Sequence, residues 1–151
     1  MHIVLVEPQI PPNTGNISRL CAGTNTHLHL VRPLGFSLED RYLKRAGLDY
    51  WPHVKLHIHD SLGEILERAP VEDLAFYSTH AQNPYTSFEP QGEAWMVFGC
   101  ETRGLGPELI ERFKSQLYRI PISDKVRSLN LSNAAAIVLY DQLHKRGFPI
   151  T

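Results

Sequence analysis

Apolar residues in this chain gather in short runs separated by longer stretches of mixed character. Residues 3–6, 28–31, 74–78 and 95–98 are dominated by Ile, Val, Leu, Phe and Trp. Runs of four or five such residues read as strands buried on both faces. Residues 54–58 alternate apolar and polar, as a half-buried strand does, and 117–120 form a last short strand. Helical patterns fill the intervals. One spans 16–25, capped by Asn13 or Thr14. A charged one runs over 37–47 and stops at Gly47. A third starts from Asp60 or Ser61, reaches residue 69 and is ended by Pro70. A fourth covers 108–114 with Pro107 in its first turn. The last spans 131–146, with Lys145 and Arg146 near its negative end and Gly147 after it. Residues 81–92 make the one long polar loop.

Strand and helix alternate, which implies an α/β fold: a mostly parallel sheet with helices on both faces. In such sheets ligands bind beyond the carboxyl ends of the strands. At 151 residues and 42% hydrophobic, the chain fits a single domain over 1–151. The net charge of -1 announces no global basic field, so nucleic acid would have to be held by a local patch. Cys21 and Cys100 are far apart and suit a reducing compartment. No run is long enough to span a membrane, and the start resembles a strand rather than a signal peptide. A cytoplasmic protein is the expectation.

Three strand-to-helix loops stand out. The first, residues 7–19, holds three prolines and places Arg19 on the first turns of the expected helix, where the dipole opposes a cation. A phosphate ligand would explain that placement, and so would a salt bridge to Glu7. The second, residues 98–107, holds Gly99, Gly104 and Gly106, which permit positive φ and close backbone approach to a ligand. It matches neither the dinucleotide fingerprint nor the P-loop. Glu101 within it would cap backbone donors or bind a neighbouring loop. The third leaves the last strand at Ile120 and ends in Arg127-Ser128-Leu129-Asn130-Leu131-Ser132-Asn133. Four candidate caps stand there where one would suffice, so either the helix start is over-capped or some of them serve a ligand.

Other features carry less. His27 with His29, and His57 with His59, share strand faces at i, i+2, but no nearby cysteine or carboxylate pair completes a metal site, and none is expected. Cys100 reads as a small buried thiol, and Trp51 and Trp95 as packing or interface residues.

Taken together, the loops resemble the three signature motifs of the SPOUT-class RNA methyltransferases. The match is closest to the small TrmL (YibK-like) branch, which methylates the ribose 2′-hydroxyl of the tRNA wobble nucleotide. Asn13-Thr14-Gly15-Asn16-Ile17-x-Arg19 resembles the first motif, Phe98-Gly99-x-Glu101-Thr102-Arg103-Gly104 the second, and Ile120-Pro121 with Arg127–Asn133 the third. The resemblance covers most of the chain, from Ile3 to Tyr140. It implies a deep C-terminal trefoil knot and S-adenosylmethionine (AdoMet) as methyl donor. It places the cofactor against Tyr77, Ser78, Thr79, Gly99, Glu101, Gly104, Ile120, Ile122, Ser128, Leu129 and Asn133. It assigns catalysis to Arg19, Ser128, Asn130 and Tyr140, with no metal. It further implies a homodimer packed through the first and last helices, with Arg19 supplied by the partner subunit. The implied substrate is the tRNA anticodon stem-loop at cytidine or uridine 34, with no part for DNA or a membrane. Arg41, Lys44, Arg45, Arg103, Lys125 and Arg127 would grip it. Family members often carry a basic residue where His80 stands here. The competing readings are ribose methylation of another RNA, such as ribosomal RNA, and a nucleotide- or RNA-binding module without catalysis.

Overall fold

The computed structural model describes residues 1–39 and 50–151. The helix expected over 37–47 lies outside them from Asp40 onward, and so do Arg41, Lys44 and Arg45. The strands are β1 (His2–Val6), β2 (His27–Val31), β3 (Lys55–His59), β4 (Leu74–Tyr77), β5 (Asn83–Pro84), β6 (Trp95–Phe98) and β7 (Leu117–Arg119). The helices are α1 (Pro11–Thr24), α2 (Leu62–Leu66), α3 (Pro107–Arg112) and α4 (Leu131–Lys145). All seven strands join one sheet in the order β3-β2-β1-β6-β4-β7-β5, and every pairing is parallel.

Alternate residues of the central strands feed two cores. On one face Ile3, Leu5, Leu28, Leu30 and Met96 meet Ile17 and Cys21 of α1 and Val138, Leu139 and Leu143 of α4. On the other, Val4, Phe76 and Val97 meet Ile65 of α2, Leu105 and Phe113. Both faces of β1, β4 and β6 are therefore dry. That explains why those strands read as continuous apolar runs, and why the α/β expectation holds.

Several boundaries differ from the sequence reading. Helix α1 begins at Pro11, five residues early, because Pro11 and Pro12 occupy first-turn positions where the missing N–H is no loss. Asn13 and Thr14 are buried inside it and do not cap it. Helix α2 stops at Leu66, although Ala69 N–H still donates to the Ile65 carbonyl at 3.0 Å. Helix α3 ends at Arg112, and a 3-10 turn follows over Lys114–Gln116. The polar loop hides a strand, β5, which is only two residues long and pairs with β7.

Burial also predicts acid lability. His2 and His29 lie in the α2–α3 face, 9% and 2% exposed. Burial outweighs the raising hydrogen bond to Glu93 and pushes His2 down to about 4, and burial followed by the neighbouring imidazoles pushes His29 down to about 2. In the unfolded chain both titrate near 6.5. Between the two values the unfolded state holds more protons, so stability rises with pH there and is lost as pH falls from about 6.5 towards 4. Two such groups give a slope on the order of 2–3 kcal/mol per pH unit. Urea unfolding at pH 6.5, 5.5 and 4.5 should show it. A flat profile over that window would contradict the burial of these imidazoles.

Candidate active site

Because all strands run parallel, the loops after β1, β4, β6 and β7 open at one edge of the sheet. They enclose a cleft of about 1060 Å³. Its floor is the turn after β6. Cys100 N–H donates to the Gly104 carbonyl at 3.2 Å, and Gly104 N–H donates back to Cys100 at 2.9 Å. The chain folds so tightly that a Cβ on Gly99 would stand 2.0 Å from the Gly104 carbonyl carbon. Gly104 (φ 65°) and Gly106 (φ 84°) take left-handed backbone that side chains oppose.

The turn aims Glu101 at the loop after β1. Its carboxylate accepts from Gln9 N–H at 3.0 Å and from Ile10 N–H at 2.7 Å. Ile10 is the N-cap of α1, and no side chain of that segment caps the helix. The acid across the cleft therefore satisfies donors at the start of α1 and sits at its positive end. Thr102 Oγ1 donates to Gln9 Oε1 at 2.6 Å, and Arg103 reaches Glu7 at 3.5 Å. Glu101 thus joins two loops, as one of its two sequence readings had it. The Glu7–Arg103 pair displaces the salt bridge considered between Glu7 and Arg19.

Asn130 joins the third loop to the first. Its Oδ1 accepts from Ser132 N–H at 2.9 Å, Ser132 Oγ at 2.6 Å and Asn133 N–H at 3.4 Å. Its Nδ2 donates to Oδ1 of buried Asn13 at 3.0 Å. Asn130 is therefore the single N-cap of α4, and Ser132 and Asn133 are the capped groups. Asn130→Ala should cost about 1 kcal/mol for the cap and about 1–3 kcal/mol for leaving Asn13 unpaired. A chemical-denaturation midpoint unchanged from wild type would refute that assignment.

Of the residues expected at the cofactor, Tyr77, Ser78, Thr79, Gly99, Glu101, Gly104, Ile120, Ile122, Ser128 and Leu129 line the cleft, and Asn133 does not. Ser128 and Asn130 line it as well, whereas Arg19 and Tyr140 do not. Arg19 is exposed in the middle of α1, not on its first turns. The dipole argument for it lapses with that placement, since the effect dies within one turn. Among the described residues nothing pairs with Arg19. Tyr140 is 46% exposed and faces Phe148, with ring centroids 6.5 Å apart. The Tyr77 ring stacks on Phe98, and its buried hydroxyl has no partner among the described residues. Burial, with Asp141 and Tyr118 nearby, raises that hydroxyl well above the ordinary tyrosine value.

Sequence reasoning missed Gln9, Leu105 and Ile110. Leu105 and Ile110 reach the wall because the glycine turn brings α3 back beside it. Gln9 had no signal, since its partner Thr102 lies 93 positions away.

The site suits a nucleoside-sized ligand. Ile120, Ile122, Leu129, Leu131 and Leu105 offer apolar walls, and strand-end backbone supplies donors and acceptors. Such a cleft, on a parallel sheet with Gly99, Glu101 and the Ser128–Asn130 loop converging, defines a nucleotide-type transferase site. The chain belongs to the SpoU rRNA Methylase family, whose pattern matches residues 1–140. It is 45% identical over 152 residues to the tRNA (cytidine(34)-2'-O)-methyltransferase of Burkholderia pseudomallei (strain 1106a), covering 97% of this chain and 96% of that one. A solved structure concerned with 2-OH methylation of C/U34 on tRNA is 40% identical, with a TM-score of 0.88 over 97% of this chain and 96% of that one. AviRb, a SpoU methyltransferase from Streptomyces viridochromogenes in complex with AdoMet, shares the fold at 21% identity. Its TM-score is 0.81 over 97% of this chain and 57% of that one.

Proposed function

We propose that this protein is an AdoMet-dependent tRNA methyltransferase that modifies the ribose 2′-hydroxyl of cytidine or uridine 34. One observation carries the reading: all three motif loops wall a single cleft, cross-braced by Glu101 and by Asn130. AdoMet supplies a methyl already activated on a sulfonium. The chain's task is then to position two reactants and take up a proton. Gly99, Ile120, Ile122 and Leu129 hold the cofactor through backbone and apolar contact. Arg19 binds the phosphate beside the target ribose and orients the hydroxyl. Its guanidinium stays protonated, which makes it a poor base. Ser128, exposed on the cleft wall, relays the proton.

The active form is a homodimer. Its support is an apolar strip, Ile137, Tyr140 and Phe148, on and just beyond α4, which stays exposed among the described residues. Packing there would carry Arg19 to the partner's cleft, since it does not reach its own. The knot has support as well. Strand β7 lies between β4 and β5, which are successive along the chain, so residues 78–82 must pass over it. With the anticodon stem-loop as substrate, Arg103, Lys125 and Arg127 provide a local basic rim, all exposed. A single domain over 1–151 acting in the cytoplasm completes the reading.

The test is transfer of labelled methyl from AdoMet to total RNA from a strain lacking this protein, with fractionation into tRNA and ribosomal RNA and nuclease mapping of the product. A 2′-O-methyl pyrimidine at position 34 is the expected result. Label confined to ribosomal RNA would overturn the tRNA assignment.

A further inference from the structure

On the α2–α3 face of the sheet, away from the cleft lining, five histidines cluster on β1, β2 and β3, stepping diagonally from His2 at the amino end of β1 through mid-β2 to His59 at the carboxyl end of β3. Three of them form one continuous row closed at both ends by carboxylates. Glu93 Oε2 lies 2.6 Å from His2 Nε2. His2 Nδ1 lies 2.9 Å from His29 Nε2, and His29 Nδ1 lies 2.9 Å from His59 Nε2. His59 Nδ1 then lies 3.0 Å from Glu64 Oε2. Register produces the row: β1, β2 and β3 are adjacent and in parallel pairing, and each imidazole reaches one step along the next strand. His2 also stacks on Trp95, with centroids 3.7 Å apart and planes 2° from parallel. Nitrogens that point at each other at 2.9 Å do not converge on a common third point. Among the described residues no group of three His, Cys, Asp or Glu side chains is arranged to hold a metal ion.

The four contacts can be counted in protons. Each is a hydrogen-bond distance and needs one proton between its heavy atoms. A neutral imidazole carries one, and a carboxylate carries none. Three neutral imidazoles therefore supply three protons for four contacts. Tautomer choice does not close the gap. If His2 donates to Glu93 from Nε2, its Nδ1 is bare and His29 must donate from Nε2. His59 must then do the same, and its bare Nδ1 faces the Glu64 carboxylate. Starting from Glu64 moves the same fault to Glu93.

We infer that the Glu93–His2–His29–His59–Glu64 row is a proton-binding site that holds one proton more than three neutral imidazoles bring, and that this proton completes a brace across β1, β2, β3 and α2. The proton belongs at the Glu64 end. At the other end the amino terminus of Met1 lies 3.4 Å from Glu93 and already neutralises it. The centre is the least favourable place, because His29 is the most buried of the three and faces other imidazoles. The remaining titratable groups around the row are His27 on β2, Lys55 and His57 on β3, and Arg68 beyond α2. His27 and His57 hydrogen-bond each other at 2.9 Å outside the row. Removing the extra proton leaves two bare acceptors face to face. Adding another to an imidazole sets two donors face to face. The brace is therefore complete only within a window of pH.

Two amide variants provide the test. In Glu64→Gln the side-chain amide donates to His59 Nδ1, and the row closes with three neutral imidazoles, all protonated at Nε2. In Glu93→Gln the amide donates to His2 Nε2, and the row closes with all three protonated at Nδ1. Nitrogen-15 NMR of histidine-labelled protein at pH 7 reads these states directly. Wild type should show either one doubly protonated imidazole, or three of one tautomer beside a protonated carboxyl. Its pattern should change as pH is raised, while that of Glu64→Gln should not. Three neutral imidazoles in wild type with two bare nitrogens or oxygens facing each other would overturn the inference. So would the same tautomers in both variants. AdoMet binding should be unchanged in Glu64→Gln, because neither the residue nor the row touches the cleft. A loss of binding there would show that the variant's fold had changed, and Glu93→Gln alone would then decide between the two tautomer patterns.

Discussion

Replacing Arg19 with alanine should leave the protein folded and able to bind AdoMet, yet lower methyl transfer by about 10²–10³-fold. The side chain is exposed in mid-helix and has no partner among the described residues, so its loss should shift stability by no more than about 0.5 kcal/mol. It does not line the cleft, so cofactor affinity should hold. What disappears is a fixed fork of donors for phosphate. Arg19→Lys keeps the charge without the fork and should fall between the two. Full transfer by Arg19→Ala would remove this residue from the mechanism. Mixing subunits separates the proposed trans arrangement from a cis one. An Arg19→Ala subunit and an Ile122→Trp subunit, the latter with its cleft filled, should each be inactive alone. In a random mixture half of the dimers pair the two. If Arg19 serves the partner's cleft, each mixed dimer has one complete site, and about a quarter of wild-type activity returns. If Arg19 serves its own cleft, no site is complete and nothing returns.

Arg19 also shows where local sequence pattern misplaces a residue within its helix. By local pattern it is a cation on a first helical turn, yet the helix starts five residues earlier and the dipole is irrelevant to it. Asn13 and Thr14 fit the role of a cap by type, but the donors at the start of α1 are met by Glu101, more than ninety positions away. Local pattern cannot reveal a cap supplied by another loop. The same limit hid the two-residue β5, which has no periodicity of its own, and the imidazole row. The i, i+2 spacing of the histidines was legible, but their partners follow only from strand register. Strands β1, β2, β4 and β6 were legible because burial on both faces leaves an unbroken apolar run. The cleft was legible because small residues and amides cluster only where parallel strands end. The match to the methylase family spans residues 1–140, well beyond these loops.

Gly99→Ala should disable the cleft from within. The added carbon would stand 2.0 Å from the Gly104 carbonyl carbon and 2.2 Å from both the Gly104 oxygen and the Leu105 nitrogen. All three are backbone atoms, so no side-chain rotation relieves the clash. The turn must open, and opening it breaks the paired hydrogen bonds between Cys100 and Gly104. Glu101, one residue further on, then swings away from Gln9 and Ile10, and α1 loses the carboxylate at its start. Overpacking alone costs about 1–3 kcal/mol, and each lost hydrogen bond to a charged group about 1.5–3 kcal/mol. For a chain of this size the sum, about 4–9 kcal/mol, is a fall in Tm of at least roughly 8 °C. AdoMet affinity should drop by at least about tenfold, since a loss of only 1.4 kcal/mol suffices for that. Gly23→Ala is the control. Gly23 lies in the last turn of α1, outside the cleft lining, and its added carbon would meet nothing within 4 Å. There the same substitution should stabilise by about 0.5–1 kcal/mol, because alanine loses less backbone entropy in a helix. Opposite signs at the two glycines, measured by thermal melts and AdoMet titration, would tie the cleft to the closeness of its turn. A Gly99→Ala protein that bound AdoMet as well as wild type would show that the turn relaxes without cost, and that the close approach at Gly99 does not build the site.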